Sequence, residues 1–292
     1  MNLLFIIDPL ETLKIEKDTS FLMMREAQHR RHQIWVATPK EIKFLGDKVV
    51  VNAQQLLIND ESENWYEVTE SKDLISPNLD CIIMRKDPPF DMEYVYSTYL
   101  LEALENEGCR VFNRPQSIRD FNEKLAITKY PQFIAPSLVT ADLTAIKSFI
   151  KNHKEVVLKP LDGMGGSSVF RSRPDDPNLG VILETLTELG CRTIMVQKFI
   201  PQISAGDKRV LLIDGEPVPY SLARIPQGSD HRGNLAAGGR GVAMALTARE
   251  REISNALGQE LSAKGLLLVG LDIIGDYLTE INVTSPTCMR EI

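Results

Sequence analysis

Two carboxylates and one amide lie within eleven residues near the end of the chain, and together they could hold a metal ion. They are Asp272, Glu280 and Asn282, in the stretch LDIIGDYLTEINVTSPTCMRE. All three offer hard oxygen donors, which Mg²⁺ takes when it also holds phosphate groups. A polar edge hairpin with ordinary surface acids would give the same pattern, so this stretch alone leaves both interpretations open.

These side chains can act together only if they share one face of a hairpin. Glu280 and Asn282 are two residues apart, so a strand places both on the same face. Asp272 joins that face if it pairs directly with Glu280, which we expect to require a three-residue turn at 275–277. A two-residue turn would put it on the opposite face, because one step of register turns every side chain over. In the favoured register the other face is apolar: Leu271, Ile273 and Ile281.

Composition and charge describe an ordinary globular protein with room for two or three domains. The chain has 292 residues, of which 43% are hydrophobic and 25% charged. The net charge of -7 argues against nucleic acid as the main partner, since phosphate backbones attract basic surfaces. The N-terminus has no basic segment and too short an apolar run for a signal peptide. No stretch approaches the roughly 20 apolar residues of a membrane span. We therefore expect a cytoplasmic protein that binds neither membranes nor nucleic acid.

Cysteine and histidine indicate neither a disulfide frame nor a zinc site. The four cysteines are scattered without a CxxC pair, which is typical of reduced thiols. Cys288 lies in the stretch of interest, but no histidine partner for a nucleophile is evident. Three histidines lie in polar surroundings, and a role for the fourth, His231, stays open because it lies in a glycine-rich loop.

The first 115 residues alternate strands with helices, which predicts a doubly wound parallel sheet. Ligands of such sheets bind beyond the carboxyl ends of the strands, where Arg85 and Asp87 are expected; a salt-linked loop is the alternative. Strands are predicted at 3–7, 34–37, 79–84 and 110–112, two weak strands within 48–59, a helix capped by Thr19 or Ser20 that ends near Arg31, and helices at 91–107 and 116–130.

A glycine-rich turn in the middle of the chain could cover phosphate groups. Residues 155–170, EVVLKPLDGMGGSSVF, are typical of a strand, a glycine-rich loop and a strand. Glycines let backbone N–H groups close on phosphate oxygens. The turn is not a P-loop, since no GK[ST] follows. Lys159 at the end of the preceding strand favours a nucleotide lid over a plain hairpin.

A second loop could also close over anionic groups. Residues 226–241, PQGSDHRGNLAAGGRG, contain five glycines and two arginines, Arg232 and Arg240. Long loops of this kind are usually functional lids, and a flexible surface loop is the alternative. The surrounding elements are predicted to be strands at 137–139 and 194–197, helices at 142–152, 177–189 and 247–263, a hairpin around 214–215 and a strand at 266–270.

Several segments resemble the bacterial glutathione synthetases, which are ATP-grasp ligases. They are RKDPPFDMEY (85–94), NRPQSIRDFNEKL (113–125), KPLDGMGGSSVF (159–170), GDKRVLLIDGEPVPYSLARIP (206–226), RGNLAAGGRG (232–241) and LDIIGDYLTEINVTSPTCMREI (271–292). The resemblance covers nearly the whole chain. Family members usually continue past the MRE segment, whereas this sequence stops at Ile292.

The resemblance implies an α/β protein with the ATP-grasp fold. The expected parts are an N-terminal doubly wound parallel-sheet domain (1–121), a central lid domain (122–200) and a C-terminal domain with the metal site (201–292). The last two would be α+β lobes that sandwich ATP. The family also implies a homotetramer.

The implied reaction joins γ-glutamylcysteine to glycine, with ATP going to ADP and phosphate through an acylphosphate. No enzyme nucleophile is needed. The implied cofactor is two Mg²⁺ ions, or Mn²⁺, held by Asp272, Glu280 and Asn282. Two alternatives are another ATP-grasp amino-acid ligase and an inactive ATP-binding scaffold. The RKDPPFD and RGNLAAGGRG segments argue against the first, and the retained metal ligands argue against the second.

The resemblance also implies roles for other residues. Contacts to ATP are expected from Lys124, Lys159, Gly163, Gly165, Gly166, Ser167, Gln197, Lys198, Phe199 and Ile200, the last four as an adenine-facing connector. Catalytic roles fall to Arg209, Arg224 and Arg240. Substrate contacts are expected from Arg85, Asp87, Arg232, Asn234, Ser285, Thr287 and Arg290.

Overall fold

The chain folds into three β-sheets with helices packed on them. The structure is a computed structural model that describes residues 1–59, 64–228 and 232–292. The sheets take their strands from residues 2–112, 137–198 and 207–282 in turn. Among the described residues, none of the helices has the length and apolar character needed to cross a membrane.

The first sheet is parallel at its centre, as the alternation of strands and helices predicted. Its strands are β1 (Asn2–Ile6), β2 (Gln33–Ala37), β3 (Ile42–Leu45), β4 (Lys48–Ile58), β5 (Tyr66–Leu74), β6 (Cys81–Met84) and β7 (Arg110–Phe112). The order is β3-β4-β2-β1-β6-β7, with β5 paired to β4. β1 lies between parallel partners, β2 and β6. Central parallel strands are covered by other elements on both faces, which explains why β1 is almost entirely apolar.

Two local predictions in this region are wrong. Segment 48–59 is one strand, not two, because β4 pairs along one stretch with β3 and along the rest with β2 and β5. The first helix is capped by Asp18 and not by Thr19 or Ser20, since the Asp18 carboxylate accepts a hydrogen bond from the backbone N–H of Phe21 at 2.7 Å. The helices here are α1 (Thr19–His29), α2 (Met92–Asn106) and α3 (Pro115–Asp120).

The helix predicted over 116–130 is interrupted. α3 ends early, and a 3-10 turn follows at Leu125–Lys129. The side-chain oxygen of Asn122 accepts hydrogen bonds from the backbone N–H groups of Lys124 at 3.2 Å and Leu125 at 2.9 Å. Asparagine that bonds its neighbouring backbone competes with helix formation. Lys124 therefore lies at a bend of the chain between the first sheet and the other two.

The second and third sheets are antiparallel. The second has the order β10-β9-β11-β8 and the third the order β14-β13-β12-β15-β16. Their elements are β8 (Ser137–Thr140), α4 (Leu143–His153), β9 (Val156–Pro160), β10 (Phe170–Ser172), α5 (Leu179–Thr187), β11 (Ile194–Lys198), β12 (Asp207–Ile213), β13 (Glu216–Ile225), β14 (Arg240–Ala245), α6 (Ala248–Ala263), β15 (Leu268–Ile274) and β16 (Tyr277–Asn282).

The hairpin of β15 and β16 places Asp272 opposite Glu280, but not through the predicted turn. The turn has two residues, since Ile274 pairs with Tyr277. A β-bulge then restores the register, because Thr279 is an extra residue between the pairs 273–278 and 272–280. The bulge is what brings both carboxylates to one face. The apolar face is in the core as predicted, with Leu271, Ile273 and Ile281 fully buried.

The segment predicted as a loop over 226–241 is shorter in the structure. A 3-10 turn at Leu235–Ala237 and strand β14, which starts at Arg240, form its second half. β14 pairs with β13 along its whole length, from Ile225 to Tyr220. This edge strand is mostly exposed and contains Gly241, and its sequence has no alternating pattern that would predict it. Residues 229–231, with His231, lie outside the described residues.

Candidate active site

One large cavity lies between the second and third sheets. It has about 850 Å³ of empty space, part of it open to solvent, which is within the usual range for small-molecule sites. All ten expected ATP contacts line it, from Lys124 to Ile200, and so do Arg232 and Asn234. Of the expected metal ligands, Asp272 and Glu280 line the cavity. The structure therefore brings together residues that are 156 positions apart in the sequence, from Lys124 to Glu280.

A network of buried charges surrounds Asp272 in the wall of this cavity. Asp272 lines the cavity, whereas Arg209 and Arg224 lie behind the lining. Arg209 donates to both carboxylate oxygens of Asp272, at 2.5 Å through Nε and 2.9 Å through Nη2. Arg224 approaches the same carboxylate at 3.0 Å. Burial would raise the pKa of Asp272, but the two guanidinium groups outweigh burial and hold that pKa well below its usual range. Asp272 is thus ionised and already paired in the chain alone.

Strand register explains this network. Arg209 on β12 pairs directly with Asp272 on β15, and Asp207 on β12 pairs directly with Arg224 on β13. Asp207 and Arg209 are two residues apart and so share a face of β12. Directly opposite side chains on one face of an antiparallel pair lie close enough to interact. Four charged side chains from three neighbouring strands therefore meet at one point.

Glu280 is compensated by lysines rather than by arginines. Its carboxylate lies 3.3 Å from Lys159 Nζ and 3.7 Å from Lys124 Nζ. Burial acts against ionisation of Glu280, but the two lysines hold the pKa of Glu280 below its usual value. Burial lowers the pKa of Lys159, and Glu280 offsets that effect only in part. Two cations therefore meet one carboxylate where phosphate groups are expected.

The three expected metal ligands fit a divalent cation by their donor chemistry. Asp272 and Glu280 supply carboxylates on one face. Asn282 is buried, and its Nδ2 donates to the carbonyl of Gly270 at 3.1 Å. That bond orients the amide and leaves Oδ1 without a donor among the described residues. Two carboxylates and one amide oxygen are a suitable set for Mg²⁺ or Mn²⁺ when phosphate oxygens complete it.

Asp207 is a lining residue that sequence reasoning missed. Its Oδ2 accepts from Arg224 Nη2 at 2.6 Å, while its Oδ1 is buried with no hydrogen-bond partner among the described residues. Burial raises the pKa of Asp207 to about 6, against the opposing charge of Arg224. The available signal was the spacing of Asp207 and Arg209, which places both on one face of a strand.

Two glycine-rich segments cover the cavity and touch each other. Arg232 Nη1 donates to the carbonyl of Gly166 at 3.2 Å, and a Cβ added at Gly166 would lie 2.8 Å from Asn234 Oδ1. Gly166 has a φ of +80°, which disfavours other residues. On the inner side, Lys124 Nζ donates to the carbonyl of Gly163 at 2.5 Å. The glycine loop at 163–166 is therefore bound on one side by Arg232 and on the other by Lys124.

A second group of expected residues meets beyond the end of β6. Ser285 donates to the carboxylate of Asp87 at 2.5 Å. Arg85 is 5% exposed, its Nε donates to Ser20 at 3.0 Å, and its Nη1 is buried without a partner in the described chain. Burial lowers the pKa of Arg85, the charges of Asp18 and Asp87 offset that effect in part, and the charge of Arg209 adds to it. This cationic group is thus electrostatically close to the charge network, at the carboxyl ends of the first sheet's strands.

Three predicted site residues lie outside both groups. Thr287 and Arg290 are exposed, and Arg290 donates to the carbonyl of Ile15 at 2.9 Å. Arg240 is exposed at the start of β14 and does not line the cavity. The arrangement of these three supplies no support for a contact with ligand, and their roles stay predictions.

Comparison with known proteins identifies relatives over the full chain. The prokaryotic glutathione synthetase N-terminal domain matches residues 1–119, and the ATP-grasp domain of the same family matches residues 123–292. The chain is 55% identical to a glutathione synthetase of Nitrosomonas europaea, over 100% of this chain and 92% of the relative. It is 50% identical to a glutathione synthetase of Escherichia coli, over 98% and 91%.

Solved structures with the same fold are more distant in sequence. D-cycloserine synthetase DcsG has a TM-score of 0.68 at 14% identity, covering 98% of this chain and 92% of that one. A RimK domain ATP-grasp protein from Sphaerobacter thermophilus has a TM-score of 0.61 at 16% identity, covering 100% and 93%. These likenesses establish the ATP-grasp fold and nothing finer.

Proposed function

Since the chain belongs to the prokaryotic glutathione synthetase family, we propose that it ligates γ-glutamylcysteine to glycine at the cavity between the second and third sheets. It is an ATP-dependent ligase. The observation that carries the proposed site is the set of four cations paired with the two carboxylates of the cavity wall. Lys124 and Lys159 lie beside Glu280, and Arg209 and Arg224 lie behind Asp272. Such a concentration of cations suits a triphosphate and a transferred phosphoryl group.

The proposed reaction has two steps and needs no enzyme nucleophile. An oxygen of the cysteinyl carboxylate attacks the γ-phosphorus of ATP, the bond to the β-phosphate oxygen breaks, and ADP forms. The glycine amine then attacks the carbonyl carbon of the acylphosphate and loses a proton, and inorganic phosphate leaves with the carboxylate oxygen. Positioning and charge neutralisation provide the rate in such transfers.

Each part of the site has a proposed role in these steps. Asp272, Glu280 and Asn282 would hold two Mg²⁺ or Mn²⁺ ions, which supply charge neutralisation for the β- and γ-phosphates. The lysines and arginines around them bind phosphate oxygens and stabilise the developing negative charge. The two lids exclude water from the acylphosphate. The proposed contacts to ATP are Lys124, Lys159, Gly163, Gly165, Gly166, Ser167, Gln197, Lys198, Phe199 and Ile200.

The proposed substrate contacts lie at the junction of the first and third sheets. The buried guanidinium of Arg85 has an unpartnered Nη1, which suits a carboxylate of the γ-glutamyl end. Asp87 would receive the ammonium of the same end, and Ser285 is held against it. Arg232 and Asn234 approach from the second lid. Arg240, Thr287 and Arg290 keep their predicted roles without further support.

We also propose the domain division and assembly that the family implies. The boundaries fall at residues 121–122 and 200–201, between elements of the successive sheets. The chain assembles as a homotetramer in the cytoplasm. Sedimentation velocity of the purified chain tests the assembly, and a monomer at working concentration contradicts it.

The direct test of the function is ADP release with each substrate omitted in turn. Full turnover is expected only with ATP, Mg²⁺, γ-glutamylcysteine and glycine together, and glutathione should appear by mass spectrometry in equal amount to ADP. EDTA should stop the reaction. Equal ADP release with D-alanine in place of both amino substrates would indicate another ligase, and ATP binding without any ADP formation would indicate a scaffold.

A further inference from the structure

Both backbone polar groups of Val283, the residue after the last proposed metal ligand, are hydrogen-bonded to side chains from the first part of the chain. Glu123 Oε1 accepts from the backbone N–H of Val283 at 3.0 Å. Asn113 Nδ2 donates to the carbonyl of Val283 at 2.7 Å. Val283 directly follows Asn282 and lies two residues before Ser285. Both gripping residues come from chain segments that precede the second sheet and reach across to the third.

Glu123 binds more of this segment than one peptide. The same carboxylate oxygen accepts from the backbone N–H of Thr284 at 3.1 Å and from its hydroxyl at 2.7 Å. The backbone carbonyl of Glu123 accepts from the N–H of Ile281 at 2.8 Å. β16 is the edge strand of its sheet, so these bonds replace a missing neighbour strand. Hydrogen bonds on both sides of Asn282 therefore fix its backbone.

Asn113 ties the same point to the start of the partner strand. Its Nδ2 also donates to the carbonyl of Leu268 at 2.8 Å, and its Oδ1 accepts from the N–H of Leu268 at 3.0 Å. Leu268 begins β15, the strand that contains Asp272. Asn113 is 5% exposed, and both of its polar atoms are used. The amide thus links the start of one ligand-bearing strand to the end of the other.

Glu123 also fixes the position of the next residue. Lys124 follows it directly, and its Nζ lies between Glu280 and the carbonyl of Gly163. Glu123 therefore connects β16, which contains Glu280, to the backbone of this lysine. One short segment couples a ligand strand, a phosphate-facing lysine and the glycine loop.

We propose that Glu123 and Asn113 are positioning residues that align the metal-ligand strand for the ligase reaction. The inference rests on the proposed function, because it takes Asp272, Glu280 and Asn282 as the ligands of the metal ions. Neither residue touches the ligand atoms. Each acts through the backbone of 281–284, and partners of this outer kind commonly change metal affinity by roughly 10–100-fold.

The test is the Mg²⁺ concentration that gives half-maximal ADP release, measured with the melting temperature and with KM for ATP and γ-glutamylcysteine. For Glu123→Ala and Asn113→Ala we expect this concentration to rise about 10-fold or more. For Glu123→Gln we expect the Mg²⁺ concentration for half-maximal ADP release to stay close to that of the wild type, since the amide oxygen accepts the same hydrogen bonds. Thr284→Val removes only the hydroxyl that donates to Glu123, and we expect the Mg²⁺ requirement to rise about threefold. This milder variant keeps the test available if either alanine variant does not fold.

Ser117→Ala is the matched control. The Ser117 hydroxyl also bridges the first region to the third, by donating to the carbonyl of Lys264, but Lys264 is the C-cap of α6 and belongs to neither ligand-bearing strand. We expect Ser117→Ala to lower the melting temperature and to leave the Mg²⁺ requirement unchanged. An unchanged Mg²⁺ requirement in Glu123→Ala, or in Thr284→Val, would overturn the inference. If the wild-type chain shows no Mg²⁺-dependent ADP release at all, the proposed function fails instead.

Discussion

The two ends of the site differ in how their arginines are compensated. At the proposed nucleotide end, which is the cavity wall around Asp272, Arg209 and Arg224 lie within 3.0 Å of Asp272, and Arg224 also bonds Asp207. At the proposed substrate end, around Arg85 and Asp87, Arg85 is equally buried but has no carboxylate within 4.0 Å in the part of the chain that the structure describes. Its one side-chain hydrogen bond to a described residue goes from Nε to the hydroxyl of Ser20, and Nη1 has none.

The proposed substrate end therefore contains a cation that a ligand anion could pair with, whereas the arginines of the proposed nucleotide end are already paired with carboxylates. A buried cation without an ion pair costs free energy, and the charges of Asp18 and Asp87 offset the burial of Arg85 only in part. A ligand carboxylate would supply the missing partner. The arginines of the nucleotide end have no such deficit. Their charge becomes available to a phosphoryl group only as Asp272 engages another cation, which fits the proposal that metal ions bind there.

The largest expected effect is at the compensated end. Glu280→Gln removes one charge of the proposed metal set and the counterion of Lys124 and Lys159. We expect kcat to fall about 1000-fold or more, since charge stabilisation is the main source of rate in phosphoryl transfer. A cooperative unfolding transition should remain. The control is Glu155→Gln, which removes a carboxylate bonded to Arg171 and Arg173; turnover of Glu280→Gln near that of the control would refute the assignment.

The substrate end should respond in substrate affinity alone. Arg85→Met keeps the volume of the side chain and removes the unpaired guanidinium. We expect KM for γ-glutamylcysteine to rise about 100-fold, because a buried charged contact to a carboxylate is lost, while KM for ATP stays within about threefold. Steady-state kinetics with each substrate varied measure this. Arg30→Met, at an exposed surface position, is the control, and equal rises in both KM values would contradict the separation of the two ends.

Asp207 should make the stability of the chain depend on pH, because its pKa is raised in the folded state. The folded pKa of Asp207 is about 6, above its ordinary value of 3.8. The folded chain therefore holds this proton more tightly, and the contribution of Asp207 to stability is full below about pH 4 and lost as the pH rises towards 6. Between these limits the wild type should lose roughly 1–3 kcal/mol relative to Asp207→Asn. Urea unfolding of both chains from pH 4 to 7 measures this, and a pH-independent difference would contradict it.

The smallest expected effect concerns the cover of the nucleotide end. Gly166→Ala places a methyl group 2.8 Å from Oδ1 of Asn234, so that side chain must move, and the φ of +80° strains an alanine there. We expect kcat/KM for ATP to fall about 10-fold, since a misplaced lid exposes the acylphosphate to water. Gly46→Ala is the matched control, because Gly46 also has positive φ but no neighbour within 4 Å. Similar kinetics of the two variants would indicate that lid contact is unimportant.

Most residues that line the cavity were predictable as a group, because they belong to short sequence motifs. The strand-and-glycine segment around Lys159 and the connector at 197–200 line the cavity as expected. The facing of Asp272 and Glu280 was also predicted, but by the wrong turn. A two-residue turn and a bulge at Thr279 give the same result, and nothing in the local sequence distinguishes one extra turn residue from one bulged residue.

What local patterns could not predict are contacts set by the pairing of distant strands. The alignment of Arg209 with Asp272 and of Asp207 with Arg224 follows from the register of three antiparallel strands. The grip of Glu123 on Val283 joins residues 160 positions apart. Such pairs depend on how whole sheets meet, so their partners become visible only in three dimensions.

The most direct measurement is the free energy of unfolding of Arg85→Met and Arg209→Met in the ligand-free chain, by urea denaturation at neutral pH. Arg209→Met leaves Asp272 with Arg224 alone, and we expect a loss of roughly 2–4 kcal/mol, as when one partner of a buried ion pair is removed. Arg85→Met replaces an unpaired buried cation by an apolar side chain and should be neutral or stabilising by about 1 kcal/mol. Equal losses in the two variants would contradict the claim that one end of the site is compensated and the other is not.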